Sequence, residues 1–328
     1  MKSRILGQTD LDLGVIGLGC MGFSHAYGPA VHEEQAIAAI REAYEMGYRF
    51  FDTAAVYHGF DGEGNESINE VLVGKALHDV RDQVVIASKY GVEHGEGGLI
   101  TDGSIENLRK SLEQTLKNLD TDYLDLFYLH RVDPNVDLED IAREMKRQIE
   151  AGKIKGWGIS EATIDQIEKA NAVCPLAAIQ NRFSMMARWY APTIAKCAEL
   201  GITFVAFSPL ANGFLSGVRP NSFDAKTDFR ASMPQYEPEV QEQMQALLDQ
   251  LNAIAAKYNC TLAQLSLAWM CALYPNLIPI PGSTKVSRIK ENFEASKINL
   301  SKEDLDQINT LLDEAGDLPV FGGAKILK

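Results

Sequence analysis

The 328-residue sequence lacks any apolar run long enough to cross a bilayer, since no stretch approaches the roughly 18 uninterrupted apolar residues of a spanning helix. The first residues, MKSRILGQTDLD, also lack the apolar region of a signal peptide. We therefore expect a cytoplasmic protein that is neither secreted nor bound to a membrane.

Cysteine is scarce and shows no pattern. The five cysteines are odd in number, scattered and without CxxC spacing, so reduced thiols are expected. The histidines show neither an HExxH motif nor paired metal-ligand spacing, and no metal site is predicted. The cysteines are Cys20, Cys174, Cys197, Cys260 and Cys271.

Positive charge is also in short supply, with a formal net charge of -14 and no run of lysine and arginine. Binding to a nucleic acid requires a basic surface that displaces counterions, so this class of partner is not expected. An anionic ligand would need a local basic pocket. No repeat of 20 to 50 residues and no low-complexity tract is present.

What the sequence does contain is a regular alternation of short apolar strands with amphipathic helices. A hairpin near Gly7 opens the chain, eight strands separated by helices follow, and helices over VSRIKENFEA and KEDLDQINTLLDEA close it. The pattern predicts an α/β fold, a (β/α)8 TIM barrel with an N-terminal β-hairpin and extra C-terminal helices. No Pro/Gly/Ser-rich linker divides residues 1–328, so one domain is expected.

One motif favours a different fold. Gly17, Gly19 and Gly22 form a literal G-x-G-x-x-G after an apolar strand, which is the dinucleotide fingerprint. In that fold the glycines lead directly into a helix, whereas here Gly28 and Pro29 defer the helix by about ten residues. We therefore interpret the motif as a barrel loop and retain the doubly wound sheet as the weaker alternative.

Four polar residues stand at or just after the C-terminal ends of predicted strands. In a parallel α/β protein these ends open onto the ligand site, so an acid, a phenol, a lysine and an imidazole can converge there. Taken singly, each has a structural explanation as a turn aspartate, a rim tyrosine, a surface lysine or a core histidine. Together they suggest proton donation to a carbonyl. The four are Asp52 and Tyr57 in RFFDTAAVY, Lys89 in VVIASKY and His130 in LDLFYLH.

The order of these motifs resembles that of the aldo-keto reductases over nearly the whole chain. The resemblance rests on GLGCMG, FFDTAAVY followed by NE, VVIASKY, DLFYLHRVD, GKIKGWGIS, IQNRFS, AFSPLANGFLSG and IPIPGSTKVSRIKEN. It implies a barrel that binds NADPH at the strand C-termini and reduces aldehydes and ketones. Tyr57 would then donate a proton and Lys89 would make that proton available. Asp52 would hold the lysine, and His130 would orient the carbonyl oxygen.

The resemblance also implies which residues bind the cofactor. Ser160, Gln180 and Asn181 match positions that hydrogen-bond the nicotinamide carboxamide, and Phe207 stands where many members carry a tyrosine that stacks on the ring. Gly282 departs from the many members that have lysine there, which leaves the cations nearby to set a preference for NADPH over NADH. The pyrophosphate loop is expected at Ser208, Pro209, Leu210, Asn212, Gly213 and Leu215. The 2′-phosphate and adenine site is expected at Ser283, Lys285, Arg288 and Asn292.

Two other functions use the same barrel. Potassium-channel β subunits bind NADPH as partner proteins, so a regulatory subunit is an alternative, although the four intact catalytic positions favour an enzyme. An isomerase or lyase without a nicotinamide is the other alternative. Aldehydes, ketones, quinones, keto sugars and pyridoxal all remain possible substrates, and the oligomeric state is open.

Overall fold

The alternating elements form a parallel β-barrel in a computed structural model that describes residues 3–96, 98–217, 223, 228–322 and 326–327. Within these residues the eight barrel strands pair in chain order, each parallel to the next. We number them β1 Leu18–Gly19, β2 Phe50–Asp52, β3 Val85–Tyr90, β4 Leu124–Leu129, β5 Ile154–Ser160, β6 Ala178–Arg182, β7 Thr203–Phe207 and β8 Leu277–Pro279.

Backbone hydrogen bonds between the first and last strands close the barrel. The Gly17 amide donates to the Pro279 carbonyl at 3.0 Å, and the Gly19 amide donates to the Pro281 carbonyl at 3.3 Å. A Cβ atom on Gly282 would lie 2.7 Å from the Gly19 carbonyl oxygen, so this seam requires glycine. The close approach explains why Gly282 is not a lysine. It also confirms that the glycine motif belongs to a barrel and not to a dinucleotide-binding turn.

The helices follow the predicted positions closely at most boundaries. Side-chain caps begin several of them, including a capping box in which Thr163 and Gln166 satisfy each other's backbone amides. The helices are α1 Glu33–Met46, α2 Asn69–Leu77, α3 Ile105–Leu119, α4 Leu138–Glu150, α5 Ile164–Val173, α6 Ala191–Leu200, α7 Pro238–Lys257, α8 Leu262–Leu273, α9 Val286–Glu294 and α10 Lys302–Glu314.

Two predicted helical stretches differ from the structure. Hydrophobic periodicity predicts one helix over residues 65–77, NESINEVLVGKAL, but the first of these residues form a strand, Glu66–Ile68, antiparallel to His58–Phe60. The Asp61 carboxylate accepts hydrogen bonds from the Asn65 backbone and side chain, which folds this segment into a hairpin. Periodicity also predicts one long helical stretch from about Val240 to Cys271, which the structure divides into α7 and α8 because Asn259 adopts a φ of 48° between them.

The barrel interior is apolar toward its N-terminal end. The predicted opening hairpin, Arg4–Ile5 with Asp12–Gly14, covers that end and places Leu6 and Leu13 against the inward side chains. These leucines are fully buried with Phe50 and Leu126. The polar interior side chains therefore collect at the opposite end, where the strand C-termini meet.

Further strands lie around this C-terminal end. Val92–Gly95 and Gly98–Thr101 form an antiparallel pair, and Ile326–Leu327 runs parallel to the second of them. In the described part of the chain no helix combines the length and the apolar character needed to cross a membrane. Residues 217–238, which show no regular hydrophobic pattern in the sequence, lie partly outside the described residues.

Candidate active site

Asp52 and Lys89 form a buried ion pair at the C-terminal end of neighbouring strands. The Lys89 ammonium donates to Asp52 Oδ1 at 2.5 Å and to the Thr53 carbonyl at 2.7 Å. Burial lowers the pKa of Lys89, but the charges of Asp52 and Tyr57 outweigh burial and hold it above the ordinary value. The lysine is therefore a permanent cation inside the barrel.

Tyr57 lies over this cation. The Lys89 Nζ atom is 5.0 Å from the centroid of the tyrosine ring. The Tyr57 carbonyl accepts hydrogen bonds from Ser24 Oγ and from the Asn69 amide, each at 3.0 Å. Burial raises the pKa of Tyr57, and the positive charge of Lys89 opposes that increase. The phenol is thus protonated, beside a cation that stabilises its anion.

His130 completes the group on the far side of Tyr57. The two ring centroids are 5.8 Å apart, and the rings meet edge to face at 83°. Burial, followed by the charges of Arg131 and Lys89, holds the pKa of His130 well below its ordinary value, so the imidazole is neutral. Its Nδ1 atom is buried without a hydrogen-bond partner among the described residues. The structure thus brings all four predicted residues together.

Asn69 is a residue of this site that the sequence analysis missed. Its side-chain amide donates to the Cys20 carbonyl at 2.9 Å and to Ser24 Oγ at 2.7 Å. Its side-chain oxygen accepts a hydrogen bond from Thr53 Oγ1 at 2.7 Å. Asn69 therefore ties the loop after β1 to the segment that carries Tyr57. The NE dipeptide after FFDTAAVY was the only sequence signal for it.

The three residues expected at the nicotinamide carboxamide lie on adjacent strands. Ser160 and Gln180 are paired in register at the ends of β5 and β6. Gln180 donates to Asp52 Oδ2 at 2.7 Å. The Asn181 side chain accepts from the Glu161 amide at 2.8 Å and donates to the Ala162 carbonyl at 3.2 Å. Ser160 and Gln180 thus border the group of Asp52, Tyr57, Lys89 and His130, which we call the tetrad. Asn181 instead forms hydrogen bonds with the loop after β5.

The expected pyrophosphate loop follows β7 directly. Phe207 is the last residue of that strand and is half-buried. Ser208 and Asn212 adopt positive φ angles of 51° and 57°, and Gly213 adopts 98°. Such a run of left-handed residues curls the chain so that its amides can face an anion. Pro209, Leu210 and Leu215 anchor the loop by burial.

The expected 2′-phosphate site lies at the beginning of α9. Lys285 is exposed immediately before the helix, and its amide donates to Ser283 Oγ at 3.1 Å. Arg288 forms an ion pair with Glu291 at 2.6 Å. Asn292 is buried one turn further along the helix. The structure thus gathers a hydroxyl and two cations at one helix N-terminus, where the helix dipole also favours an anion.

Comparisons with known proteins agree with this architecture. The sequence profile of the Aldo/keto reductase family matches residues 15–313. The probable aldo-keto reductase 1 of Glycine max is 36% identical over 306 residues, which cover 92% of this chain and 86% of that protein.

Two solved structures share the fold. The glycerol dehydrogenase of Gluconobacter oxydans superimposes with a TM-score of 0.84 at 22% identity and covers 98% of each chain. The Klebsiella pneumoniae aldo/keto reductase in complex with NADP and acetate gives a TM-score of 0.73 at 23% identity and covers 100% of each chain. Both match the predicted (β/α)8 barrel.

The profile match over nearly the whole chain is what decides the family, and the buried Asp52–Lys89 pair and the barrel fold agree with it. Members of the family are oxidoreductases that use NADP(H). The chain described here belongs to the aldo-keto reductase family.

Proposed function

We propose that this protein is an NADPH-dependent reductase that converts aldehydes or ketones to alcohols. The observation that carries the proposal is the position of Lys89, which pairs with Asp52 at 2.5 Å while its ammonium lies 5.0 Å from the Tyr57 ring. A buried cation held against a phenol stabilises the phenolate that forms when the proton leaves. A regulatory NADPH-binding subunit would not need this arrangement.

Proton transfer follows from the same geometry. When bound, the nicotinamide supplies the hydride. Tyr57 then donates its phenolic proton to the carbonyl oxygen, and Lys89 offsets the negative charge left on the tyrosine. His130 is neutral and can donate a hydrogen bond to the same oxygen, which orients the carbonyl. Asp52 holds the ammonium group of Lys89 in place through their ion pair.

The residues expected to hold NADPH fit its chemistry. The half-buried ring of Phe207, at the strand end beside the site, can stack on a nicotinamide. The curled loop after it offers amides to a pyrophosphate. Lys285 and Arg288 offer charge to the 2′-phosphate in a chain of net charge -14. The NADP complex of the Klebsiella pneumoniae relative supports the same choice of cofactor.

A panel of carbonyl compounds tests the proposal. Purified protein is incubated with NADPH and, separately, with aliphatic aldehydes, aromatic aldehydes, ketones, quinones, keto sugars and pyridoxal, and loss of NADPH absorbance is followed. We expect turnover with at least one class and much slower turnover with NADH. NADPH binding without consumption across the panel would instead favour the regulatory subunit. The absence of NADPH binding would favour the isomerase or lyase alternative.

A further inference from the structure

Arg182 is a buried arginine that forms no ion pair with a carboxylate of the described residues. It lies two residues after Gln180 on β6, so its side chain shares the inward face of the strand. Only 4% of the residue is exposed. Its Nη1 atom donates to Asn212 Oδ1 at 3.0 Å, and its Nε atom is buried without a partner among the described residues. The guanidinium therefore lies at the end of the barrel where the strand C-termini meet, which we call the mouth. Its Nε donor has no hydrogen-bond partner among the described residues.

Two aromatic rings lie against this guanidinium. It lies 4.9 Å from the centroid of the Phe207 ring and 5.2 Å from that of Phe321. The Glu161 carboxylate accepts a hydrogen bond from the backbone amide of Arg182 at 3.3 Å, and its charge acts on the guanidinium without a direct ion pair. Burying an unpaired charge is unfavourable unless a counter-charge arrives. The position is suited to an anion supplied by a ligand.

Arg131 is a second unpaired guanidinium at the same mouth. It follows His130 directly and donates from Nη1 to the His130 carbonyl at 2.6 Å and to Ser160 Oγ at 3.1 Å. The nearby carboxylate of Asp133 is occupied by the amides of Gly103 and Asn135. Of the ion pairs found in the described residues, none includes Arg131 or Arg182. Arg131 thus adjoins His130, and its charge also acts on Arg182, so the two cations share this end of the barrel.

Three histidine rings lie on the Tyr57 side of this site. The His25 ring stacks on Tyr57 with centroids 5.8 Å apart. His94 lies 5.2 Å from His25 and 5.1 Å from His58, measured between ring centroids. The described residues contain no cluster of ligands with metal-binding geometry, so these rings do not form a metal site. Burial lowers the pKa of His25, so its ring is neutral and adds no charge beside Tyr57.

We propose that the substrate is a small carbonyl compound with a carboxylate or phosphate group, and that Arg131 and Arg182 bind this anion while the carbonyl lies beside Tyr57. The inference rests on the proposed function and names its substrate class. Arginine suits the role because its planar fork pairs with either anion through two hydrogen bonds. The competing ligand for Arg182 is the cofactor pyrophosphate, since Asn212 belongs to the expected pyrophosphate loop.

Kinetics on a matched pair of substrates test the proposal. Succinic semialdehyde carries a carboxylate, and its methyl ester lacks that charge and otherwise differs only by one methyl group. We expect wild type to favour the charged aldehyde at least tenfold in kcat/KM. Arg131→Met and Arg182→Met should each lower this preference about tenfold, mainly through KM, because a charge-assisted pair is lost. Arg182→Lys should recover part of the preference.

A control removes the same charge elsewhere. Arg143 is half exposed on α4 and pairs with Glu139 and Asp140, so Arg143→Met changes the net charge of the protein without touching the mouth. The Arg143→Met variant should keep the wild-type preference for the charged aldehyde over its methyl ester. Equal use of both aldehydes by wild type, or a preference that survives both mouth substitutions, would overturn the proposal.

Direct binding separates this inference from the proposed function. Calorimetric titration of the NADPH-loaded protein with benzoate, phenyl phosphate and benzamide measures anion affinity without turnover. At least one anion should bind about tenfold more tightly than neutral benzamide, and the stronger of the two identifies carboxylate or phosphate as the group. Anion binding without carbonyl reduction would refute the enzyme but keep the anion site. Reduction without anion binding, or mouth substitutions that weaken only NADPH, would refute the anion site.

Discussion

Gln180 donates a 2.7 Å hydrogen bond to Asp52 Oδ2, the carboxylate oxygen that Lys89 does not contact. Both residues are buried, so each oxygen of the carboxylate has a donor in the barrel interior. The hydrogen bond between Gln180 and Asp52 links β6 to β2 across the barrel. It thereby supports Lys89, whose ammonium lies below the Tyr57 ring. Gln180 therefore positions the tetrad in addition to its expected role at the nicotinamide.

Replacing Gln180 tests this support. In Gln180→Met one oxygen of a buried carboxylate loses its donor, which should reduce the free energy of unfolding by about 1 to 3 kcal/mol. Turnover should also fall, because Lys89 loses its alignment with Tyr57. Urea unfolding and kcat measurements check both effects. Gln245→Met, on exposed surface of α7, is the matched control; an equal loss in both variants would contradict the positioning role.

The cofactor site can be tested through Lys285 and Arg288. Only NADPH carries the 2′-phosphate, so Lys285→Ala and Arg288→Ala should weaken NADPH much more than NADH. Each charge-assisted hydrogen bond contributes roughly 1.5 to 3 kcal/mol, which corresponds to tenfold or more in the preference. Fluorescence titration of both cofactors measures this. Lys290→Ala, an exposed lysine on the same helix, should have little effect.

Equal weakening of NADPH and NADH in the first two variants would place the phosphate elsewhere. The partner of Arg288 matters here, because Glu291 already holds its guanidinium at 2.6 Å. The single variant Glu291→Gln, in which Arg288 is kept, should bind NADPH more tightly, since the competing carboxylate is removed.

Glu144 predicts a pH dependence of stability. This buried carboxylate accepts two hydrogen bonds from Arg109 and one from Arg147, and Arg109 chiefly holds its pKa at about 2, below the ordinary value of 4.5. A lowered folded-state pKa stabilises the protein above the unfolded value and loses this contribution as the pH falls toward 2. Because both arginines are more than half exposed, solvent screening limits it to about 1 to 2 kcal/mol.

Urea unfolding of wild type and Glu144→Gln from pH 7 to pH 3 measures this contribution. The variant should be less stable at pH 7, and the difference should shrink below about pH 4.5. A difference that stays constant across the range would show that the carboxylate charge contributes nothing.

The identity of His130 predicts which bond is reduced. In the resemblance on which the assignment rests, histidine at this position belongs to carbonyl reductases, whereas glutamate belongs to reductases of steroid double bonds. Tyr57 and His130 should therefore converge on a carbonyl oxygen. Incubation of an enal with NADPH should give the allylic alcohol, as measured by chromatography. Mainly saturated carbonyl product would refute the role of His130.

The barrel and the tetrad could be predicted because their signals are local. Short apolar strands between amphipathic helices indicate the fold, and each tetrad residue stands at a strand end that parallel topology brings together. The strand Glu66–Ile68 lies within a predicted helix because the Asp61 side chain, not the hydrophobic pattern, decides how that segment folds. Contacts such as Gln180 with Asp52, 128 residues apart, depend on which inward side chains meet across the barrel.

The unpaired state of Arg182 could not be predicted for a similar reason. The motif IQNRFS shows a cation at a strand end but does not show whether a carboxylate faces it. In the structure Glu161, the acid that follows the neighbouring strand, hydrogen-bonds a backbone amide instead. Pairing is a property of side-chain geometry, which periodicity does not encode.

The most direct test of the whole account is the turnover of Tyr57→Phe. This change removes the phenolic proton but keeps the ring beside His130 and above Lys89. Carbonyl reduction should fall by about 10² to 10⁴, as expected when a general acid is removed, while the dissociation constant of NADPH stays close to that of wild type. Turnover within a fewfold of wild type, with NADPH still bound, would contradict the account.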